Sequence, residues 1–301
     1  MKNISLDKIK IPQETLNLYP HHRFGWRRVI QELNNHCPNS SEATFLEPFF
    51  ERVFLYNEDN HRKKIYEKHP WIAFIHEPPK QARPEYNFSL SNHIHNPDLQ
   101  RCLENLKGIF TLTNYQKRYY LNLPDLKDIP ISNLLYPIEY NIKWDINNFN
   151  YSALHIGNNY RKIGFFKKYN FPNFIKNNII IGHKSCTQSV SNEEYDKLLT
   201  SSFVFQKYFD CAASTTIIEC ITTETPIVVN QIEPIEEYLG ESYPLFYKST
   251  DELEYFFSNK DLFINKLIEA NSYLKELNSK KLFTYDKFLH DFYQSEVYHS
   301  L

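Results

Sequence analysis

Short apolar runs alternate with segments of helical periodicity along most of the chain. The run "WIAFI" (71–75), followed by His76, Glu77 and two prolines, predicts a buried strand that ends at a turn. Apolar positions at helical spacing predict helices in "RRVIQELNN" and in "LQRCLENLKG", and we expect the second helix to end at Gly108. "IFTLTNYQKRYYL" then predicts a strand with a helix, and "ISNLLYPIEY" a further strand.

Beyond the polar segment "NIKWDINNFN" (141–150), a strand predicted in "YSALHIG" opens a second series, which continues with "NNIIIGH", "FVFQKYF", "TTIIECIT" and "TPIVVN". Strands that alternate with helices indicate parallel sheets flanked by helices. The sequence therefore predicts an α/β protein with domains at 1–147 and 148–282, and a C-terminal helical segment at 283–301. In that segment the spacing of Tyr285, Phe288, Leu289 and Phe292 predicts a packed face.

Composition and charge disfavour several classes of protein. Lys and Arg number 34 against 36 Asp and Glu, which disfavours a nucleic-acid partner. The five cysteines are scattered, so neither a zinc site nor a disulfide framework is indicated. The N-terminal residues lack a signal-peptide core, and no apolar run approaches the ~20 residues of a membrane span. We expect a cytoplasmic protein with at most peripheral membrane contact.

A stretch of small and hydroxyl residues carries the strongest chemical signal. "FVFQKYFD" ends at Asp210, and a helix is predicted to begin near Ser214, Thr215 and Thr216. Free amides and the helix dipole at such a start favour a phosphate. Glu219, one turn further, is placed to accept hydrogen bonds from two sugar hydroxyls, as acidic residues do with a nucleotide ribose. The alternative is an ordinary Ser/Thr N-cap with a half-buried Glu.

The same stretch resembles the donor-binding region of GT-B glycosyltransferases, in which a Glu is followed by a "TPIVV"-type strand. The next block, "EPIEEYLGESYPLFY", resembles bacterial and viral sequences with a glycosyltransferase family 4-like donor domain. "HRFGWRRVIQEL", "PWIAFIHEPP", "GIFTLTNYQKRYY", "LLYPIEY" and "HIGNNYRKIGFF" come in the order of that group, so the likeness spans His22 to Tyr247. One departure is Cys211, which stands where these families often have a second Glu.

The resemblance implies a GT-B fold: two Rossmann-like domains with parallel sheets facing across a cleft, and a C-terminal helix that crosses back to the first domain. It implies transfer of a sugar from a nucleotide-diphosphate sugar to a glycan or glycoconjugate, lipid-linked acceptors included. A retaining outcome is favoured over an inverting one. Neither a metal nor another cofactor is expected, because no two Asp residues stand two apart as in the metal-dependent families of the other major fold.

The resemblance also suggests donor contacts. Arg161 and Lys162 follow the strand that ends at Gly157 and are the candidates to hold the diphosphate, whose charge grows in the transition state. The alternative for this pair is a solvated loop. Gly25 corresponds to the glycine loop through which the backbone approaches the donor, and the alternative is a plain turn glycine.

The acceptor side is predicted around the turn after "WIAFI". His76, with a pKa near 6.5 and a carboxylate such as Glu77 to orient it, is suited to take a proton from an acceptor hydroxyl. A contact with the donor sugar, or a hydrogen bond to a loop carbonyl, are the alternatives for His76. The remaining acceptor-side candidates are His21, His22, Arg23, Trp26 and Arg83.

Two other functions stay open at this point. One is a nucleotide-sugar epimerase or phosphorylase-like enzyme of the same fold, for which nucleotide release without an acceptor product would argue. The other is a non-catalytic nucleotide-sugar-binding subunit of GT-B type, an alternative that Cys211 keeps open. Nucleotide binding without turnover would support the subunit.

Overall fold

The computed structural model describes residues 4–17, 26–38, 40–56, 59–79, 88–157, 161–182 and 190–301. These residues form two compact units. Unit 1 contains the described residues up to Pro137 together with Thr284–Leu301, and unit 2 is Ile138–Phe283. In the described part of the chain no helix combines the length and apolarity that crossing a membrane requires.

Unit 1 is built on a five-stranded parallel sheet whose strands lie in sequence order. The strands are β1 (Ile9–Lys10), β2 (Thr44–Glu47), β3 (Trp71–Phe74), β4 (Leu106–Thr111) and β5 (Ile131–Asn133). The helices of this part are α1 (Trp26–Asn35), α2 (Phe50–Phe54), α3 (Asn60–Tyr66), α4 (Leu90–His93), α5 (Pro97–Leu103) and α6 (Asn114–Leu121), with 3-10 turns at Gln13–Asn17 and Pro124–Leu126.

Strand β3 lies at the centre of unit 1, and its alternate side chains serve two cores. Trp71, Ala73 and Ile75 point into the cluster formed with α2, α3 and α5. Phe74 points to the other face, where its ring lies 4.8 Å from that of Trp26. This strand is buried on both faces, so its residues form a continuous apolar run, as is usual for parallel sheets.

Unit 2 carries a second five-stranded parallel sheet in the order β10–β9–β8–β6–β7. Its strands are β6 (Ser152–Ile156), β7 (Asn177–Ile181), β8 (Phe203–Gln206), β9 (Ile227–Asn230) and β10 (Phe246–Tyr247). Its helices are α7 (Ile163–Lys168), α8 (Asn192–Ser201), α9 (Thr215–Thr223), α10 (Glu233–Leu239), α11 (Thr250–Phe257) and α12 (Lys260–Ser279), with a 3-10 turn at Ile146–Asn148. The strand order reverses between β6 and β8, which makes that position the topological switch point of the sheet.

Two C-terminal helices, α13 (Tyr285–Gln294) and α14 (Glu296–His299), belong to unit 1. The predicted packed face of α13 is confirmed, because its four apolar side chains are buried, with Phe292 fully so. The ring of Phe292 stacks on that of Phe110 in β4 at 4.7 Å. The predicted α/β class with parallel sheets is confirmed as well.

The predicted end of a helix at Gly108 is wrong. Helix α5 ends at Leu103, and Gly108 lies inside β4 instead. A Cβ at this position would overlap Val297 of α14. The glycine therefore permits α14 to pack directly on the strand, a long-range requirement that resembles a helix-stop signal in the sequence.

Candidate functional site

At the topological switch point of unit 2, the side chain of one glutamine bridges the ends of strands β6 and β8. Gln206, the last residue of β8, donates from Nε2 to the carbonyl oxygen of Ile156 at the end of β6, at 2.7 Å. Its Oε1 accepts from Nε of Arg161 at 3.1 Å. The amide thus links the carboxyl ends of two strands and fixes the base of the Arg161 guanidinium at the position where α/β sheets bind ligands.

The Arg161 guanidinium also reaches the start of α9. Its Nη2 donates to Oγ of Ser214 at 3.3 Å and to Oγ1 of Thr216 at 3.1 Å. Its central carbon lies 5.1 Å from the ring centroid of Tyr208. Three residues that the sequence singled out, Arg161, Ser214 and Thr216, are therefore in direct contact.

Ser214 differs from an ordinary helix cap. It occupies the N-cap position of α9, but its side chain makes no capping hydrogen bond. Its Oγ pairs with the Tyr208 hydroxyl at 2.7 Å and accepts from Arg161. Thr215 is the first residue of α9 and is half-buried. The Ser214 hydroxyl therefore binds the Arg161 guanidinium and does not cap the backbone N–H groups of α9.

Gly157 makes this arrangement sterically possible. Its φ of 84° lies in the left-handed region, and a Cβ on it would come within 2.9 Å of Nη1 of Arg161. Only glycine combines that backbone conformation with so close an approach. The glycine that the sequence placed before the cation pair is thus part of the arginine's seat.

Glu219 lies on α9 with its carboxylate bound by two phenols. Tyr195 of α8 donates to Oε2 at 2.6 Å, and Tyr140 donates to Oε1 at 3.2 Å. The carboxylate is buried, at 6% exposure. Burial, with the adjacent carboxylate, holds the pKa of Tyr195 well above its usual value, so this phenol stays a donor.

The other donor-side candidates, Lys162 and Asp210, make separate contacts of their own. Lys162 donates its backbone N–H to the carbonyl of Lys207 at 2.6 Å, and its Nζ lies 4.3 Å from the ring centroid of Phe209. Asp210 is buried and accepts the backbone N–H of Cys211 at 2.9 Å. Burial raises the pKa of the Cys211 thiol, which leaves this position without charge.

In unit 1, His76 differs from its predicted state. Its Nε2 lies 2.9 Å from the carbonyl oxygen of Pro48, which can only accept, so Nε2 carries the proton. The ring stacks on Phe49 at 4.5 Å and meets Trp26 edge-on at 4.6 Å. Burial lowers its pKa to about 4, so the predicted pKa near 6.5 does not hold. The alternative of a hydrogen bond to a loop carbonyl is the one found.

Glu77 does not orient His76 either. Its carboxylate accepts from the hydroxyl of Tyr56, while its backbone carbonyl accepts from Nε2 of Gln116 at 2.9 Å. The carboxylate that holds the turn belongs to Glu51 of α2, whose Oε1 accepts the backbone N–H groups of His76 at 2.6 Å and of Glu77 at 2.8 Å. Burial raises the pKa of Glu77 to about 7. Burial and the neighbouring Glu77 raise the pKa of Glu51 to about 8.

Trp26 is the only acceptor-side candidate within the described ranges, where it begins α1 and is buried. The other predicted residues, Gly25, His21, His22, Arg23 and Arg83, lie outside the described residues. In the ranges that the structure describes, no group of three or more His, Cys, Asp or Glu is arranged to hold a metal ion.

Several residues of these two clusters were missed in the sequence. They are Gln206, Tyr208, Tyr140, Tyr195, Glu51, Tyr56 and Gln116. Gln206 has a signal, because a lone polar residue ends the apolar run "FVF". Glu51 lies 26 residues from the turn that it binds, and no local pattern connects the two.

Sequence comparison finds no matching family model and no matching curated protein. Solved structures do match. TarM superposes with a TM-score of 0.60 at 11% identity over 91% of this chain and 58% of its own. The pneumococcal O-GlcNAc transferase GtfA, solved with UDP and GlcNAc, gives 0.60 at 9% identity over 87% and 57%. HepE from Anabaena, solved with UDP, gives 0.56 at 10% identity over 95% of this chain and 98% of its own.

The chain thus spans under three fifths of TarM and GtfA and nearly the whole of HepE. Identities this low establish the fold alone. With its two parallel five-stranded sheets, the chain has the GT-B fold that the sequence predicted.

Proposed function

We propose that this GT-B protein is a glycosyltransferase that moves a sugar from a nucleotide-diphosphate sugar to a hydroxyl of a glycan or glycoconjugate. The observation that carries the proposal is the seating of Arg161 at the switch point of unit 2. Its guanidinium is fixed by Gln206, Ser214 and Thr216 at the start of α9. A cation at a helix N-terminus and a topological switch point together favour a diphosphate.

The chemistry of transfer fits this seat. The bond between the anomeric carbon and the β-phosphate oxygen breaks, and negative charge accumulates on the departing nucleoside diphosphate. A guanidinium already oriented by three polar side chains stabilises that charge without reorganisation during the reaction. We assign the diphosphate contact to Arg161, with Lys162 as an additional nearby positive charge.

Glu219 is the proposed ribose contact. It lies on the same helix as Ser214 and Thr216, one turn beyond them, and its carboxylate is oriented by Tyr140 and Tyr195. Acidic side chains bind ribose hydroxyls in dinucleotide-binding folds. GtfA and HepE, solved with UDP or UDP-glucose, support a nucleotide-sugar donor.

The proposal also covers the stereochemical outcome, the metal requirement and the acceptor. We propose a retaining outcome, no metal requirement because Arg161 supplies the positive charge, and a glycan acceptor that meets the protein at unit 1 near His76 and Glu77. Transfer that persists in excess EDTA would support metal independence. The anomeric configuration of the product, measured by NMR, would test retention.

The decisive experiment measures binding and turnover separately. The full chain is titrated with UDP, GDP, CDP and dTDP and with the matching nucleosides, by calorimetry. Replacement of Arg161 by Lys removes the bidentate geometry but keeps the charge, and we expect roughly tenfold or greater loss of diphosphate affinity with unchanged nucleoside affinity. Glu219→Gln should weaken diphosphate and nucleoside alike.

Turnover is then followed with the nucleotide sugars of the base that binds. Sugar transfer to a glycan acceptor supports the proposal. Binding without transfer to any acceptor would support a non-catalytic subunit instead, a candidate that the uncharged Cys211 thiol favours. Absence of binding by every nucleotide would refute the donor site itself.

A further inference from the structure

Two buried carboxyl groups, those of Glu51 and Glu77, lie at the His76 turn in unit 1. Glu51 is 1% exposed and Glu77 is 8% exposed. One oxygen of each is satisfied: Oε1 of Glu51 by two backbone N–H groups of the turn, and Oε1 of Glu77 by Tyr56. The second oxygen of each carboxyl is buried and has no hydrogen-bond partner among the described residues.

Among the described residues, the side chains seen to donate hydrogen bonds to Glu77 are uncharged. Tyr56 contacts the Glu77 carboxylate, and Gln116 and Tyr120 of α6 donate to its backbone carbonyl. His76 is neutral at pH 7, since its pKa is about 4. Two ionised carboxylates buried at the same turn would repel each other.

We propose that Glu51 and Glu77 act as one unit that carries at most a single negative charge at neutral pH, and that Glu51 is a positioning residue for the His76–Glu77 turn. The retained proton removes the repulsion that two ionised carboxylates would exert on each other. Glu51 in turn holds both N–H groups at the carboxyl end of β3. The raised pKa values of both groups agree with this assignment.

A second observation in the same corner indicates a polar partner. The indole N–H of Trp26 also lacks a hydrogen-bond partner among the described residues, although the side chain is only 3% exposed and meets the His76 ring at 4.6 Å. A buried donor next to His76, at the turn that also carries the buried carboxyl oxygens, suits a hydroxyl group, which both donates and accepts. The identification of that hydroxyl with a sugar acceptor rests on the proposed function; the retained proton does not.

The proton that Glu51 and Glu77 retain in the folded state predicts how the free energy of unfolding varies with pH. The usual pKa of a glutamate is 4.5, and burial raises both groups above it. A group whose pKa is raised by folding stabilises the folded state fully below pH 4.5, and that contribution is lost as pH rises through 7 to 8. An amide at position 51 keeps an oxygen for the two N–H groups and cannot ionise.

The test compares thermal unfolding of the full chain at pH 5.5 and pH 8.5. We expect Glu51→Gln to raise Tm more at pH 8.5 than at pH 5.5, with a difference of about 3 °C or more between the two shifts. Glu51→Ala should lower Tm at both values, because the N–H groups of the turn lose their acceptor. The exposed Glu42→Gln serves as the matched control and should change neither.

A Glu51→Gln variant that lowers Tm equally at both pH values, or that keeps the pH dependence of the wild type, would overturn the proposal that the pair retains a proton at neutral pH. Activity gives an independent reading. If transfer is established, Glu51→Gln should move the alkaline limb of kcat/KM to higher pH while the acid limb stays in place. If no nucleotide binds, the proposed function fails. The comparison of Tm values still tests whether Glu51 and Glu77 retain a proton at neutral pH.

Discussion

The hydroxyl of Tyr195 donates to Oε2 of Glu219 at 2.6 Å. This contact joins α8 to α9 and binds the carboxylate that we assign to the ribose. The phenol is neutral, because burial and the carboxylate raise its pKa. The proposed ribose contact is therefore oriented before any nucleotide binds, and its orientation depends on a residue that precedes it by 24 positions.

Replacement of Tyr195 by Phe tests this dependence. The change leaves a buried carboxylate oxygen with one donor fewer, which costs about 1–3 kcal/mol of the free energy of unfolding. We expect a lower Tm and a several-fold weaker affinity for the nucleoside as well as for the diphosphate, both followed on the same preparations.

Tyr255→Phe is the matched control, since that tyrosine is 59% exposed. It should leave both quantities unchanged. Nucleoside affinity that stays at the wild-type value in Tyr195→Phe would show that the phenol does not act on the ligand through Glu219.

Apolar periodicity predicted most of the fold because both sheets are parallel and buried. Strands such as β3 form continuous apolar runs, and helices such as α1 show their buried stripe. Gly108 misled the prediction because the sequence does not show the side chain that packs on a glycine. Val297 lies nearly 190 residues further along the chain.

The candidate site was predictable where its residues follow one strand. Ser214, Thr216 and Glu219 share one helix, and Arg161 follows a glycine at a strand end. The partners that orient them come from other elements, and no local pattern indicates them. The protonation of His76 could not be read from sequence either, because its pKa is set by burial.

Gly157→Ala should disturb the arginine seat without removing any polar group. An added Cβ would come within 2.9 Å of Nη1 of Arg161 at a backbone φ of 84°. We expect a loss of about 1–2 kcal/mol in the free energy of unfolding, and a clear loss of diphosphate affinity in calorimetry.

Gly164→Ala is the control for this substitution. Gly164 lies in α7, and a Cβ there would meet no atom within 4 Å. That variant should be neutral or up to about 1 kcal/mol more stable. Equal diphosphate affinity in the two alanine variants would argue against Gly157 as part of the arginine seat.

Gly108→Ala tests the packing of α14 on β4. The new methyl group would overlap Val297, and overpacking of this kind costs about 1–3 kcal/mol. The double variant Gly108→Ala with Val297→Ala should recover part of that loss, because the second change removes the overlapping atoms. Chemical denaturation of the two single variants and the double variant measures the coupling, and strictly additive losses would contradict direct contact.

The protonation of His76 separates a catalytic base from a structural histidine. Burial lowers its pKa to about 4, so the ring stays neutral from pH 8 down to about pH 5. A lowered pKa means that His76 favours the folded state fully above its ordinary pKa of 6.5 and that this contribution is lost as pH falls towards 4. His76→Gln should therefore flatten the acid side of the stability profile between pH 6.5 and 4.

An NMR titration of labelled histidine measures the pKa of His76 directly, and a midpoint near 6.5 would restore the general base that the sequence predicted. With a midpoint near 4, the proposed transfer requires another group to take the proton of the acceptor hydroxyl, and under the proposed retaining mechanism that base is the departing phosphate of the donor.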